Sequence, residues 1–331
     1  MADPPESLLT WAAAALGEEA TVESVTGLHD GSSPWRIRVA TPDATAEMVL
    51  RTSLDPPRWR GDPSALQKLA TGAAALRVAE QHGLAAPRLI ACDLGGHEAG
   101  QPASLETVLP GTSGGDGREA PSPAGWRDAG AAIARIHRVA LQPQEHLPLR
   151  GHVPVRGPQM QRRWATLYQA SGEAERPRVI AAYRKFTWQA EAAEQILADV
   201  RSTPLLQLAD EVVRHTRQPR GESVFLHVDV WPGNLLWIGD RCVGLIDWKE
   251  AGVGHPGIDL SILRFHAAVH HGPDRAALVL EGWEDEMGRT ATDLAYWDAL
   301  IALNTPTDSD SAQSATDRRD DFLRAAIDQL V

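Results

Sequence analysis

Asp229, Asn234 and Asp247 are the residues of this chain whose types and spacing could do chemistry. They lie in "FLHVDVWPGNLLWIGDRCVGLIDW", residues 225–248. An apolar, strand-like entry at Phe225-Leu226 runs into His227 and then into the first acid. A Pro-Gly turn separates Asp229 from the amide five residues on. The stretches "LLWIG" and "CVGLI" flank Asp240-Arg241 and read as a short hairpin, which returns Asp247 to the side of Asn234. Two carboxylates and an amide gathered at one end of two strands form an oxygen donor set. Such a set suits Mg2+ rather than Zn2+, and no His/Cys cluster competes for that role. An acid-to-amide interval of five is common by chance, so the surrounding elements must carry much of the weight.

Those elements divide the chain in two. Residues 7–17 read as a short helix, and "TVESVTGL", "PWRIRVAT" and "AEMVLRTS" as three strands of an antiparallel sheet. A helix follows over 62–83, with Asp62 as cap, Pro63 in its first turn and Gly83 as its stop. "PRLIACDL" and "ASLETVL" add two more strands. The Gly-, Pro- and Ser-rich segment 110–125 reads as a linker. From Trp126 onward helical periodicity dominates, with helices expected at "WRDAGAAIARIHRV", at "PQMQRRWATLYQA" and across 177–201. A strand pair at about 223–247 interrupts them. The expected architecture is α+β and two-lobed: a small antiparallel-sheet lobe, residues 1–108, and a larger helical lobe, residues 109–331.

Composition narrows the function classes. A net charge of −12 argues against a general nucleic-acid binder, which is usually basic. No apolar run approaches membrane-spanning length. The N-terminal "MADPPESLLTW" carries acids and prolines where a secretory signal needs basic residues. Cys92 and Cys242 are far apart, in apolar contexts and without metal-ligand spacing, so both read as buried thiols of a reducing compartment. A cytoplasmic location is expected.

Phosphoryl transfer from ATP needs a base or aligner for the attacking hydroxyl and metal ligands for the phosphates. Protein kinases place the catalytic-loop acid and the metal-binding amide at this same interval, with the second metal acid beyond a hairpin. "HVDVWPGN" together with "LIDW" resembles the aminoglycoside phosphotransferase family, the small-molecule branch of the protein-kinase-like fold. "MVLR", "AAPRLIACD", "LETVLPGTS", "AAIARIH" and "GHPGIDLS" extend the resemblance in the expected order over roughly residues 20–265. The resemblance implies Asp229 as catalytic base and Asn234 and Asp247 as metal ligands, with ATP and Mg2+ as cofactors. It implies Arg51 as the phosphate-contacting cation and Gly31, Ser32 and Ser33 as a short phosphate loop. Glu106, Thr107 and Val108 fall in the hinge that borders the nucleotide. Asp259 falls where the family's acid braces the catalytic loop, against the plainer reading of a helix cap. His227 and His137 read as packed, structural histidines.

The chain departs from the family pattern in three places. Arg51 stands where lysine is common, and Val228 stands where glycine is usual. Gly72 stands where the helix after the third strand usually carries a glutamate that pairs with the strand cation. Arg51 is therefore expected to lack a partner, with Glu80 the nearest substitute, and Gly72→Glu is expected to tighten the ATP site.

The leading expectation is a phosphotransferase acting on a hydroxyl of a small molecule, most of all an aminoglycoside-type antibiotic. The segment 150–220 and the C-terminal helices are expected to build the acceptor site. The insert's "QRRW" and "YRKFTW" do not point to a polycation. A metabolic kinase acting on a sugar or amino alcohol is the alternative within the fold. A non-catalytic kinase-like binding protein is the alternative outside it, favoured by Gly72 and disfavoured by the complete Asp229, Asn234 and Asp247 set.

Overall fold

The computed structural model describes residues 3–29, 32–52, 65–114, 121–151, 158–187, 189–305 and 313–331, with the backbone alone at His29 and Ser32. Gly31, Asp62 and Pro63, assigned above to the phosphate loop and a helix start, lie outside the described residues.

Strands β1 (Thr21–His29), β2 (Ser32–Ala40) and β3 (Thr45–Thr52) form an antiparallel meander. Strands β4 (Leu89–Asp93) and β5 (Ala103–Thr107) complete a five-stranded sheet in the order β1-β2-β3-β5-β4. Alternation along the strands turns Trp35, Ile37, Leu50 and Leu105 inward. Leu8 and Trp11 of helix α1 (Glu6–Ala14) cover that face.

Helix α2 (Ala65–Gln81) follows β3, as expected, but half of it belongs to the larger lobe. Ala75, Leu76 and Val78 share a core with Trp126, Phe225, Trp248 and Trp283. The Thr71 hydroxyl donates to the His146 carbonyl at 2.8 Å. This helix is packed down onto the large lobe rather than standing free in the small one.

The segment read as a linker is partly structured. β6 (Thr112–Ser113) pairs with β8 (Leu235–Ile238). Helix α3 (Pro123–His137) begins three residues before Trp126, because Ser122 accepts a hydrogen bond from Gly125 N and Pro123 fits the first turn. The helix expected over 177–201 is two: α5 (Arg176–Tyr183) and α6 (Ala193–Asp199). Between them Phe186 stacks on Trp164 of α4 (Pro158–Ala170), 5.7 Å between ring centres, and the Arg184 side chain donates to the Ala190 carbonyl. Tertiary contacts thus override local helix preference there.

Helix α7 (Pro204–His215) leads to β7 (Val224–Leu226), which pairs with β10 (Gly252–Gly254). Strands β8 and β9 (Arg241–Leu245) form the expected hairpin, but its turn is Gly239-Asp240, one residue earlier than read. Gly239 takes φ +58°, which a tight hairpin turn requires and glycine supplies without strain. Helices α8 (Gly257–His271), α9 (Pro273–Met287), α10 (Leu294–Asn304) and α11 (Gln313–Ile327) close the large lobe. No helix among the described residues is long and apolar enough to cross a membrane.

Candidate active site

The loop between β7 and β8 holds Asp229 and Asn234, and hydrogen bonds fix its shape. Asn234 Nδ2 donates to the Asp229 carbonyl at 2.9 Å, closing the Trp-Pro-Gly turn. The Ile246 N–H donates to the Asn234 carbonyl at 3.0 Å, which joins this loop to the strand that delivers Asp247. His227 is fully buried and spans the same two segments. Its Nδ1 accepts from Asp229 N at 3.3 Å, which leaves Nε2–H to donate to the Ile246 carbonyl at 2.9 Å. Burial holds this imidazole below the ordinary histidine range, so it stays neutral and structural, as read.

Val228 takes φ +69°. A β-branched residue there is strained, of order 1–3 kcal/mol, and the strain must be held by neighbours. Asp259, completely buried, does this. Its two oxygens accept from His227 N and Val228 N, both at 2.8 Å. Behind it, Trp283 Nε1 donates to His137 Nδ1 at 2.9 Å. That bond leaves the proton of His137 on Nε2, which faces Asp259 Oδ2 at 3.3 Å. An indole, an imidazole and a carboxylate therefore run as one buried chain from α9 through α3 and α8 to the backbone of the Asp229 loop. Sequence reading reached the brace and the structural role of His137, but not Trp283.

Asp247 also sits in the left-handed region, at φ +68° and ψ +56°, and starts the turn Trp248–Glu250. The ring of Trp248 is buried in a stack on Phe225, 5.3 Å between centres, and anchors this turn. Arg51 reaches Asp247 Oδ1 from β3 at 3.3 Å, and the Lys249 ammonium pairs with Oδ2. Burial pushes the Asp247 carboxyl up, but Arg51 and Lys249 outweigh it and hold it below the usual carboxylate range. Burial pushes Asp229 the other way, above that range, and the negative charge of Asp247 adds to the shift against the opposing pull of Lys249. The two carboxyls of one site are thus separated in character: one is a fixed anion, the other a better proton acceptor.

Arg51 is not without a partner. Its Nε donates to Glu106 Oε1 at 2.8 Å. In the β3–β5 ladder Arg51 faces Ser104, and Glu106 lies two residues along on the same face. Burial disfavours charge on Arg51, but Glu106 and Asp247 outweigh it and keep the guanidinium charged. Glu80 instead lies by Arg88, 3.6 Å away. Gly72 faces the Lys249 backbone, where an added Cβ would lie 3.8 Å from both N and Cα. The expectation that Gly72→Glu tightens the ATP site is therefore reversed. Gly72→Ala fits and should add up to about 1 kcal/mol of helix stability. Gly72→Glu should melt below the Ala variant, because its carboxylate meets a turn that already holds Glu250, and the KM for ATP should not fall. Thermal melts and ATP titrations of both variants check this.

The remaining expected residues are placed as follows. The Ser33 hydroxyl accepts from Thr52 N at 3.1 Å, tying the start of β2 to the end of β3 beside Arg51. Thr107 is bound to Arg88 through both its backbone N–H and its hydroxyl. Val108 lies just past the end of β5, and no backbone partner takes its N–H or carbonyl among the described residues. On α9, Glu281 pairs with Arg127, and Glu286 with Arg135 and Arg138, which ties α9 to α3. In the insert, Arg163 pairs with Asp210 at 2.6 Å and Arg162 donates to the Leu303 carbonyl, so both tie helices together.

Residues 24–302 match a family described as phosphotransferase enzymes. An N-acetylmuramate/N-acetylglucosamine kinase from Caulobacter vibrioides is 38% identical over 89 residues, which span 25% of this chain and 24% of that kinase. The fold is similar to that of a macrolide 2′-phosphotransferase from Brachybacterium faecium, with a TM-score of 0.55, 19% identity, and coverage of 92% of this chain and 100% of that one. It is also similar to a thermostable mutant of an aminoglycoside phosphotransferase in a ternary complex with AMP-PNP and hygromycin B. There the TM-score is 0.54 and the identity 14%, over 98% of this chain and 97% of that one. With the family match covering most of its length, and with a small antiparallel-sheet lobe set on a larger helical one, the chain belongs to the phosphotransferase enzyme family.

Proposed function

We propose that the protein transfers the γ-phosphoryl group of ATP to a hydroxyl of a small molecule, with Asp229 as the base. The observation that carries this reading is that one loop holds Asp229 and Asn234, that the Ile246 N–H ties this loop to the strand delivering Asp247, and that Arg51 reaches Asp247 from the opposite lobe. The donor set fits Mg2+. Asn234 commits its Nδ2 to a carbonyl, which leaves Oδ1 as the amide atom that would meet a cation, and Asp247 is a fixed anion. Asn234 and Asp247 would hold Mg2+, which neutralises charge on the β- and γ-phosphate oxygens when bound.

Arg51, braced by Glu106, presents a planar cationic fork to phosphate. The family resemblance assigns Gly31, Ser32 and Ser33 to the phosphates, and of these Ser33 is tied to Thr52 beside Arg51. Val108 offers free backbone groups to the edge of the adenine ring, next to Glu106 and Thr107. Asp229 takes the proton of the acceptor hydroxyl as that oxygen attacks the γ-phosphorus, while the bond from the γ-phosphorus to the β-phosphate oxygen breaks and ADP leaves. Its raised affinity for a proton suits the task.

An aminoglycoside-type antibiotic is the leading acceptor class, in line with the relatives' fold. A sugar is the second, favoured by the local sequence match to the N-acetylmuramate/N-acetylglucosamine kinase. The Arg51–Glu106 pair removes the one feature that favoured a non-catalytic protein. Cys242 is buried as expected, whereas Cys92 is only half-buried, and two free thiols are in keeping with a cytoplasmic location.

Calorimetric titration of Mg2+ and AMP-PNP into wild type and Asp247→Ala tests the nucleotide half of this reading. The variant should bind at least about tenfold more weakly, the equivalent of losing one charge-assisted contact. Equal affinities would contradict the role of Asp247. A screen of aminoglycosides, macrolides and N-acetylated amino sugars for ADP release tests the acceptor half.

A further inference from the structure

Lys249 has no role in the scheme above, yet it touches the centre of the site. It lies two residues past Asp247, and its ammonium rests on Asp247 Oδ2 while Arg51 holds Oδ1. Both oxygens of the anionic metal ligand are thus covered by side-chain cations. The two cations are held differently. Arg51 has a second anion, Glu106, and a side chain only 23% exposed. The Lys249 side chain is 42% exposed, and Asp247 is its ion-pair partner. The Lys249 backbone is pinned between α2, at Gly72, and the buried Trp248. A fixed backbone with a flexible four-carbon arm lets the charge move while the loop stays still.

A divalent cation at Asp247 must take Oδ2 from the ammonium. Arriving alone, it brings two positive charges beside Arg51 and Lys249 and offers the displaced ammonium no new partner. Arriving on a triphosphate, it comes with an excess of negative charge that the ammonium can join. We propose that Lys249 is a positioning residue that occupies the metal carboxylate in the nucleotide-free protein and transfers its ammonium to phosphate oxygens when metal and nucleotide bind. The metal is thereby admitted with the nucleotide and resisted when alone. This inference rests on the reading of Asp247 as the Mg2+ ligand.

The test uses Lys249→Met, Lys249→Arg and Asp247→Ala, with circular dichroism to verify the fold of each. Free Mn2+ binding is read by electron paramagnetic resonance, and binding of AMP-PNP with Mg2+ by calorimetry. Lys249→Met should bind free Mn2+ about tenfold more tightly and the magnesium nucleotide about tenfold more weakly, the effect of one opposite charge beside a carboxylate. Lys249→Arg keeps the cation and should stay close to wild type in both. If Lys249→Met matches wild type in either measurement while Asp247→Ala loses both, the role of Lys249 falls and the metal site stands. If Asp247→Ala retains both, the metal-site reading falls, and this inference with it.

Discussion

Asp229→Asn should keep its fold and its affinity for AMP-PNP with Mg2+, and lose about 10²–10⁴-fold in kcat, the range for removing a general base. The asparagine preserves shape and the backbone contacts of the loop. Bonds that fix this loop run through the Asp229 main chain, to Asn234 Nδ2, Trp231 N and His227 Nδ1, and an asparagine can keep the contact that Asn234 makes with the carboxyl. The substitution therefore removes proton acceptance and little else. Steady-state turnover beside a nucleotide titration separates the two effects. A variant with near wild-type turnover would remove Asp229 from the chemistry.

Asp259→Ala should be the most destabilising single substitution at the site. It strips partners from His227 N and the Nε2–H of His137, both buried, and from Val228 N, which is part-buried. Each buried donor left unpaired costs about 1–3 kcal/mol, so the two buried ones alone imply a loss of at least about 2 kcal/mol. The left-handed Val228 then loses the hydrogen bond that holds its backbone, so residual folded protein should turn over slowly as well. Asp259→Asn keeps one acceptor oxygen but turns an amide against the second donor, and should fall between the two. Denaturant unfolding measures both variants. A loss below about 1 kcal/mol for Asp259→Ala, within the effect of an ordinary surface change, would show that the loop is held by other means.

The parts of the site that were legible in the sequence are those joined by short stretches of chain. Asp229 and Asn234 share one turn, and a tight hairpin returns Asp247 to them, so spacing read together with the flanking strands points to the three. Asp259 opens the next helix, and its bracing role was legible only through the family resemblance of "GHPGIDLS", since its type and position alone read equally as a helix cap. Arg51 and Glu106 are 55 residues apart, and their pairing depends on the register of β3 against β5. A shift of one residue would send Glu106 to the other face, so no local pattern announces the pair. Gly72 misled for a related reason. A helix position tells which residue is present but not which lobe the helix leans on, and α2 leans on the turn after Asp247. The break between α5 and α6 likewise arises from Phe186 meeting Trp164, a contact invisible to periodicity.

The most direct test of the central claim is the mass of the acceptor after incubation with protein, ATP and Mg2+. Candidate aminoglycosides, macrolides and N-acetylated amino sugars are followed by mass spectrometry, with Asp229→Asn in parallel. At least one candidate should gain a single phosphoryl group with the wild-type protein and remain unmodified with the variant over the same time. An acceptor phosphorylated equally by both proteins, or none phosphorylated by a wild-type protein that binds ATP and Mg2+, would contradict phosphoryl transfer through Asp229.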